Sequence, residues 1–169
     1  RGFARVRCSQ CGDEILCAFS CRGRGVCPSC AARRMHETAL HLVDRLVPFV
    51  PVRQWVLTYP FLMRLPLAYD AQLLSAALTI FIRALFVWQR RRARRLGHPA
   101  RTVAPASVTF VQRFGSALQL TPHLHTLLPD GVFLDEPGRG DARPRFVRLE
   151  PPTDEEVGEL LERVAERTR

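Results

Sequence analysis

Two histidines separated by one leucine are the residues of this sequence best suited to hold a catalytic metal. His123 and His125 stand on either side of Leu124. In an extended strand, successive side chains project from opposite faces, so both imidazoles would share one face and Leu124 would point into a core. Two imidazoles on one face can bind one divalent cation. A lone His-x-His pair is also typical of hydrogen-bonded strand histidines, so the surrounding sequence is needed to choose between that interpretation and a metal site.

Six cysteines lie within a short N-terminal stretch and include two C-x-x-C pairs. The first pair is Cys8 and Cys11, and the second is Cys27 and Cys30, with fifteen residues between the pairs. Zinc in structural sites binds four thiolates tetrahedrally, and a C-x-x-C turn lets one short loop supply two of them. This spacing predicts a structural Zn²⁺ site.

Two further cysteines leave alternatives open. Cys17 or Cys21 could replace one of the four ligands, or both could be small buried hydrophobic residues. A disulfide framework is the other interpretation, but no signal peptide is visible and nothing marks the chain as secreted. We therefore expect a reduced, cytoplasmic compartment.

The charge of the chain is strongly and unevenly positive. The net charge is +9, and all 25 basic residues are arginines. Residues 1–134 hold 18 arginines and six acidic residues, whereas residues 135–169 hold seven arginines and ten acidic residues. A basic body of this kind favours a polyanionic partner, with nucleic acid first. No run of 18 apolar residues occurs, so no membrane partner is expected.

Two groups of arginines are candidate DNA contacts. Arginine forms bidentate bonds to phosphate, and the second group follows Trp88, a combination that fits single-stranded nucleic acid. The alternative for both groups is a solvated surface that only aids solubility. The candidates are Arg22, Arg24, Arg33 and Arg34 around the cysteines, and Arg90, Arg91, Arg92, Arg94 and Arg95 at a predicted helix end.

Periodicity and breakers predict the elements that position these residues. Helices are predicted over Ala31–Val47, Ala71–Leu96 and downstream of a capping box at Thr153–Glu156; strands over Val52–Tyr59, Ser107–Arg113 and the His123/His125 stretch; loops over Pro60–Asp70 and Asp135–Pro152. A β-meander would place Gln112 beside the histidines, as a third metal ligand or as an ordinary sheet residue. The turn Pro129–Gly131 is expected to close the His strand.

These motifs together resemble a bacterial transposase family. The segment Cys8–Cys30 with Arg33 and Arg34 resembles the zinc-binding front end of two-tyrosine transposases, which move insertion sequences by a rolling-circle route. Three further segments are similar to the second domain of that family, an HUH single-strand endonuclease: Val52–Leu57, Phe110–Leu118 and Pro122–His125. The resemblance covers roughly residues 3–134.

The resemblance implies a mechanism and its partners. His123 and His125 would hold Mg²⁺ or Mn²⁺, with Gln112 as candidate third ligand, and a tyrosine would attack single-stranded DNA at the element ends. In this family the nucleophilic tyrosines follow the His motif, whereas Tyr59 and Tyr69 here precede it. We therefore expect a fragment that holds the metal half of the site and has no catalytic nucleophile of its own.

The expected architecture is α+β, with a zinc-ribbon-like, DNA-contacting module over residues 1–48. Residues 49–169 would be the first part of an HUH domain, an antiparallel sheet with helices on one face. The leading function is DNA transposition by nicking and joining single strands. The alternatives are a non-enzymatic, zinc-dependent DNA-binding module and a zinc-ribbon adaptor for protein partners. Association with a second copy of the chain is left open.

Overall fold

The protein divides into two compact units, Arg1–Phe49 and Val50–Arg169. The computed structural model describes residues 3–18, 28–115, 119–135 and 144–168. Helices and antiparallel strands are mixed along the chain, which confirms the predicted α+β class.

The first unit contains a two-stranded hairpin and a helix. Strands β1 (Phe3–Arg7) and β2 (Glu14–Ala18) pair antiparallel, and helix α1 (Pro28–His41) continues into a π-helical turn, Leu42–Leu46. The helix predicted over Ala31–Val47 is thus confirmed. No side chain that the structure describes in this unit is buried. Several large apolar side chains are exposed: Phe3, Val6, Ile15, Leu16, Met35, Leu40, Val43, Leu46 and Phe49.

The second unit holds six strands and three helices within the described ranges. They are β3 (Val52–Thr58), α2 (Phe61–Tyr69), α3 (Ala71–Arg95), β4 (Val103–Ala104), β5 (Val108–Phe114), β6 (Leu120–Pro129), β7 (Gly131–Leu134), β8 (Arg145–Arg148) and α4 (Asp154–Thr168). The strands form two antiparallel sheets, in the orders β3-β6-β5 and β4-β7-β8. The β-meander is confirmed, because β5 pairs with β6 antiparallel.

The core of the second unit lies on one face of the first sheet. Strand side chains such as Leu57, Leu124 and Leu128 pack with Phe81 and Leu85 of α3, and α2 and α4 join the same cluster. Burial of such side chains supplies the main favourable term for folding. The C-terminal end of α3 reaches the second sheet, where Ala93 packs with Val132 and Leu134. Helices therefore cover one face of the first sheet, as predicted.

The two sheets join at a bend rather than at a hairpin turn. Strand β6 ends at Pro129 and β7 begins at Gly131, so the turn expected to close the His strand is instead a single-residue bend at Asp130. The buried Gln89 amide donates to the carbonyls of Pro129 and Gly131, at 2.8 and 3.0 Å. A Cβ on Gly131 would lie 2.3 Å from the Val147 carbonyl oxygen, so glycine permits this close approach.

Two predicted loops contain regular structure. Residues 61–69 form helix α2 although Pro66 lies inside it, because one missing N–H is tolerated where Leu67 is fully buried. The segment Asp135–Pro152 includes β8, which pairs with β7. The sequence did not predict this short edge strand because proline and glycine residues surround it.

Helix α3 is long and apolar enough, by length and composition only, to cross a membrane. The sequence did not predict this, because no uninterrupted run of 18 apolar residues occurs. Only 28% of the most apolar part of this helix is buried. The helix nevertheless packs its buried residues against both sheets, as core helices of globular domains do.

Candidate functional site

The two histidines lie on the central strand of the first sheet, on the face away from the helices. Leu124 is fully buried, whereas His123 and His125 are half-buried on the opposite face. Their ring centroids are 4.8 Å apart, with an angle of 61° between the ring planes. The prediction that both imidazoles share one face, with Leu124 in the core, is confirmed. Strands on both sides hold this segment, so the pair stands on a rigid support.

Hydrogen bonds at the ring nitrogens test whether this pair suits a metal. His123 Nδ1 lies 2.6 Å from the Thr121 carbonyl oxygen, which can only accept. Nδ1 of His123 therefore carries the proton, and its Nε2 keeps a lone pair. His125 Nδ1 lies 2.6 Å from the Gln54 side-chain amide, and its Nε2 is buried without a partner among the described residues. The Nε2 of His125, unpartnered among the described residues and on a ring adjacent to that of His123, fits a divalent cation.

Gln112 lies beside the histidines in the sheet. It pairs with His123 across β5 and β6, and Thr58 pairs with His123 from the other side. The Gln112 amide nitrogen donates to the Phe114 carbonyl at 3.0 Å. Its role as a third metal ligand stays a prediction.

The rim of the histidine face is apolar and open. Val56 and Phe110 flank His125 on the two neighbouring strands and are 52% and 42% exposed. Exposed apolar side chains around a polar centre are typical of surfaces that contact a ligand or another segment.

Tyr59 is not suited to attack a phosphate at the histidines. Tyr59 is only 5% exposed, its hydroxyl has no partner among the described residues, and burial raises its pKa to about 12. A phenol of such high pKa is a poor source of phenolate near neutral pH. Tyr69 is exposed in the last position of α2, a helix that packs beside the strand that carries the histidines.

The first cysteine pair forms a tight turn between β1 and β2. The Gly12 N–H donates to the Cys8 carbonyl at 3.1 Å, and Gly12 has a φ of 76° that favours glycine. Hydrogen bonds from the Cys11 backbone, the Gln10 backbone and the Cys11 thiol lower the pKa of the Cys8 thiol. Stabilising a thiolate in this way fits a zinc ligand, since zinc binds thiolate sulfur.

The rest of the predicted zinc site falls outside the description. Cys27, Arg22 and Arg24 lie outside the described residues, and Cys30 lies in α1 without a described side chain. Within the described part of the chain, Cys8 and Cys11 are exposed and free, and no group of three or more His, Cys, Asp or Glu residues could hold a metal. The four-cysteine set therefore stays a prediction.

The arginines at the end of α3 divide into two kinds. The Arg92 side chain is 16% exposed, bonds to Glu156 at 3.0 Å and packs over the Trp88 ring. Arg91 and Arg94 are exposed and have no ion pair among the described residues, and Arg95 is exposed near Glu156, at 3.8 Å. Arg92 thus serves the junction of α3 and α4, and Arg90 is half-buried beside the Val103 carbonyl, while Arg91, Arg94 and Arg95 remain open to solvent.

Trp88 is not a free stacking surface. Its ring meets Trp55 edge-on, with centroids 5.6 Å apart, and Trp88 packs against the core. A cavity of about 390 Å³ beside it mixes arginines with acidic side chains. It is lined by Trp88, Arg91, Arg92, Arg95, Thr153, Glu155, Glu156, Glu159, Leu160 and Arg163. The acids weaken the positive field that the sequence suggested.

In the first unit, the described candidate arginines are exposed on α1. Arg33 lies 3.4 Å from Glu37 one helical turn away, and Arg34 has no ion pair among the described residues. An exposed pair of this kind is weak, so the Arg33 guanidinium can exchange Glu37 for another anion, and the exposed Arg34 guanidinium can also bind one.

Comparisons with known families match both ends of the chain. Residues 1–59 match a family model described as "Transposase zinc-binding domain", of the IS91 type, and residues 107–169 match one described as "Putative transposase". No curated protein and no solved structure gave a match. The second match includes His123 and His125. Together the two matches indicate a DNA transposase with a zinc-binding domain.

Proposed function

We propose that this chain is the DNA-binding and metal-binding part of a rolling-circle transposase that nicks and joins single-stranded DNA. Residues 1–48 would be the zinc-dependent module, and residues 49–169 the first part of an HUH nuclease domain. It would act in the cytoplasm on the single-stranded ends of its element.

One observation carries the proposal: two imidazoles lie on one face of a central strand, and the Nε2 of His125 is buried without a partner among the described residues. Structural histidines usually satisfy both ring nitrogens when they are buried. The match of this segment to a transposase family supports the same interpretation.

The residues of the chain would divide the work. A divalent cation held by His123 and His125, with Gln112 as third ligand, would polarise the scissile phosphate. Thr121 fixes the His123 ring through its carbonyl, so the ring needs no reorganisation on binding. Exposed arginines would hold the DNA backbone through phosphates, without reading sequence.

The attacking tyrosine would come from outside these 169 residues. Tyr59 is buried with a raised pKa, and Tyr69 is on α2, so neither is proposed as the nucleophile. The product would be a 5′-phosphotyrosine link and a free 3′-hydroxyl.

Metal and DNA binding by the chain itself test this proposal. Mn²⁺ should bind weakly at one site beyond any zinc, and more tightly than Mg²⁺, because nitrogen ligands favour Mn²⁺. Replacing both histidines (H123A/H125A) should abolish this binding. The chain should bind single-stranded DNA without cleaving it. Mn²⁺ binding that survives H123A/H125A would remove the site, and a zinc-dependent, non-enzymatic DNA-binding module would then be the better account.

A further inference from the structure

Gln54 touches the candidate metal ligand from the neighbouring strand. Its side-chain Nε2 lies 2.6 Å from His125 Nδ1. On β3, Val56 is the residue paired with His125, and Gln54 is its diagonal neighbour on the same face. The bidentate pair of Arg53 with Asp130, at 3.0 and 3.2 Å, ties the start of β3 to the end of β6 and fixes this register.

The contact allows two arrangements, with opposite consequences for His125. If the Gln54 amide nitrogen donates to Nδ1, the ring proton must sit on Nε2, which is buried without an acceptor. If the amide is turned by 180°, its oxygen accepts from Nδ1–H, and Nε2 keeps a lone pair. Only the second arrangement leaves no buried N–H without a partner.

His123 provides an internal comparison. Its Nδ1 partner is the Thr121 carbonyl, which fixes the proton on Nδ1. With the Gln54 oxygen toward His125, both rings would adopt the same tautomer and present Nε2 together. Ligating histidines commonly have their other ring nitrogen held in this way by an oxygen acceptor.

We propose that Gln54 is a positioning residue whose amide oxygen accepts the Nδ1 proton of His125 and holds that ring in the metal-binding tautomer. The metal part of this inference rests on the proposed function, whereas the tautomer exists in the metal-free protein. Gln54 acts through His125 and does not itself touch the cation.

The first experiment measures the tautomer without metal. Nitrogen NMR of the full chain, at alkaline pH where imidazoles are neutral, reports which ring nitrogen of His125 carries the proton. Wild type and Q54E should show Nδ1–H, because both keep an oxygen acceptor. Q54M, of similar size but without an acceptor, should shift His125 toward Nε2–H. Q72M, an exposed glutamine-to-methionine change on α3, is the matched control and should leave His125 unchanged.

The second experiment measures Mn²⁺ affinity from the free-ion EPR signal. Q54M should bind about tenfold to a hundredfold more weakly than wild type, the usual loss when such a supporting group is removed. Q72M should bind as wild type does, and Q54E should bind at least as tightly. Rescue by Q54E would separate positioning from a merely structural role, because Glu keeps the oxygen acceptor that Met lacks. Tryptophan fluorescence checks that every variant is folded.

Two results would overturn the inference. One is Nε2–H at His125 in the wild-type protein, and the other is unchanged Mn²⁺ affinity in Q54M. Failure of the proposed function looks different: wild type would bind no Mn²⁺, while Nδ1–H in wild type and its loss in Q54M would still support the role of Gln54.

Discussion

The two units of the molecule differ in how far their described side chains are buried. In the first unit no described side chain is buried, and apolar residues such as Met35 and Val43 are exposed. In the second, Leu85, Leu124 and Leu128 are almost completely buried in one cluster. A module of about fifty residues buries little surface and is therefore marginally stable unless a cross-link or a metal supports it. We propose that metal binding by cysteines supports the first unit, whereas burial supports the second.

The same contrast appears in how each unit holds its candidate ligands. Cys8 and Cys11 sit in a turn whose shape depends on Gly12 and a few backbone bonds. His123 and His125 sit on a strand bonded on both sides and anchored by Leu124. We therefore expect the first site to be formed together with its metal, and the second to exist before any metal binds.

The largest effect should follow zinc removal. Structural zinc in small peptides binds with an apparent free energy of about 10–16 kcal/mol at neutral pH, which is also folding free energy. A chelator should therefore unfold residues 1–47 and leave the second unit folded. Amide hydrogen exchange should show lost protection in β1, β2 and α1 only. Trp55 and Trp88, both in the second unit, provide a fluorescence control that should not change.

Two results would contradict this prediction. One is freshly purified, reduced protein that contains no zinc by elemental analysis. The other is protection of the first unit that survives the chelator, which would mean that the unit is stable without a metal.

The next prediction compares a core residue with the candidate metal ligands on the same strand. L124A should destabilise the second unit by about 2–5 kcal/mol, the usual cost of a leucine-to-alanine cavity. H123A/H125A should change stability by less than about 1 kcal/mol, since these rings are only half-buried. Urea unfolding followed by tryptophan fluorescence measures both. A double-histidine variant as unstable as L124A would mean that the imidazoles are core residues.

A smaller effect concerns the arginines of α3. Replacing Arg91 and Arg94 by alanine should lower the salt slope of single-stranded DNA binding by about 0.7 for each lost phosphate contact. The matched variant R83A/R101A removes two exposed arginines outside the cluster and should change the slope less. Equal slopes in the two variants would show that the helix end is only a solvated surface. Arg92 is excluded because it bonds to Glu156.

The smallest effect tests the cap of α4. Thr153 Oγ1 accepts from the Glu156 N–H, and the Glu156 carboxylate accepts from the Thr153 N–H, both at 3.2 Å. T153A should cost the second unit about 1 kcal/mol. T79A removes a hydroxyl that bonds within the middle of α3 and should be nearly neutral, because alanine favours helix. Equal losses in the two variants would contradict a capping role.

Much of the fold could be predicted because local sequence patterns indicate most of its helices and strands. The capping box at Thr153, the alternation around Leu124 and the long apolar stripe of α3 each depend on neighbouring residues. Helix α2 was missed because Pro66 is a local breaker that tertiary burial of Leu67 overrides. Strand β8 was missed because it is short and depends on pairing with β7.

The candidate site could be predicted only in part, because local patterns do not set the contacts between distant segments. His123 and His125 share a face by alternation alone, and Gln112 follows from the meander. The contact of Gln54 with His125 depends on the register of β3 against β6, which no local pattern in the sequence sets. Likewise, Arg92 is not free to contact DNA because it pairs with Glu156, and that ion pair depends on the packing of α4 on α3. Strand alternation places Gln54 on the same face as Val56, but it does not identify the partner of Gln54.

We propose that these histidines hold the metal that activates single-stranded DNA for attack by a tyrosine. The direct measurement uses a chain extended through a downstream tyrosine-bearing helix, incubated with the single-stranded ends of its own element in Mg²⁺ or Mn²⁺. We predict a covalent protein–DNA adduct that survives denaturation and is absent from H123A/H125A. An extended chain that forms no adduct with any element end, in either metal, would contradict the claim.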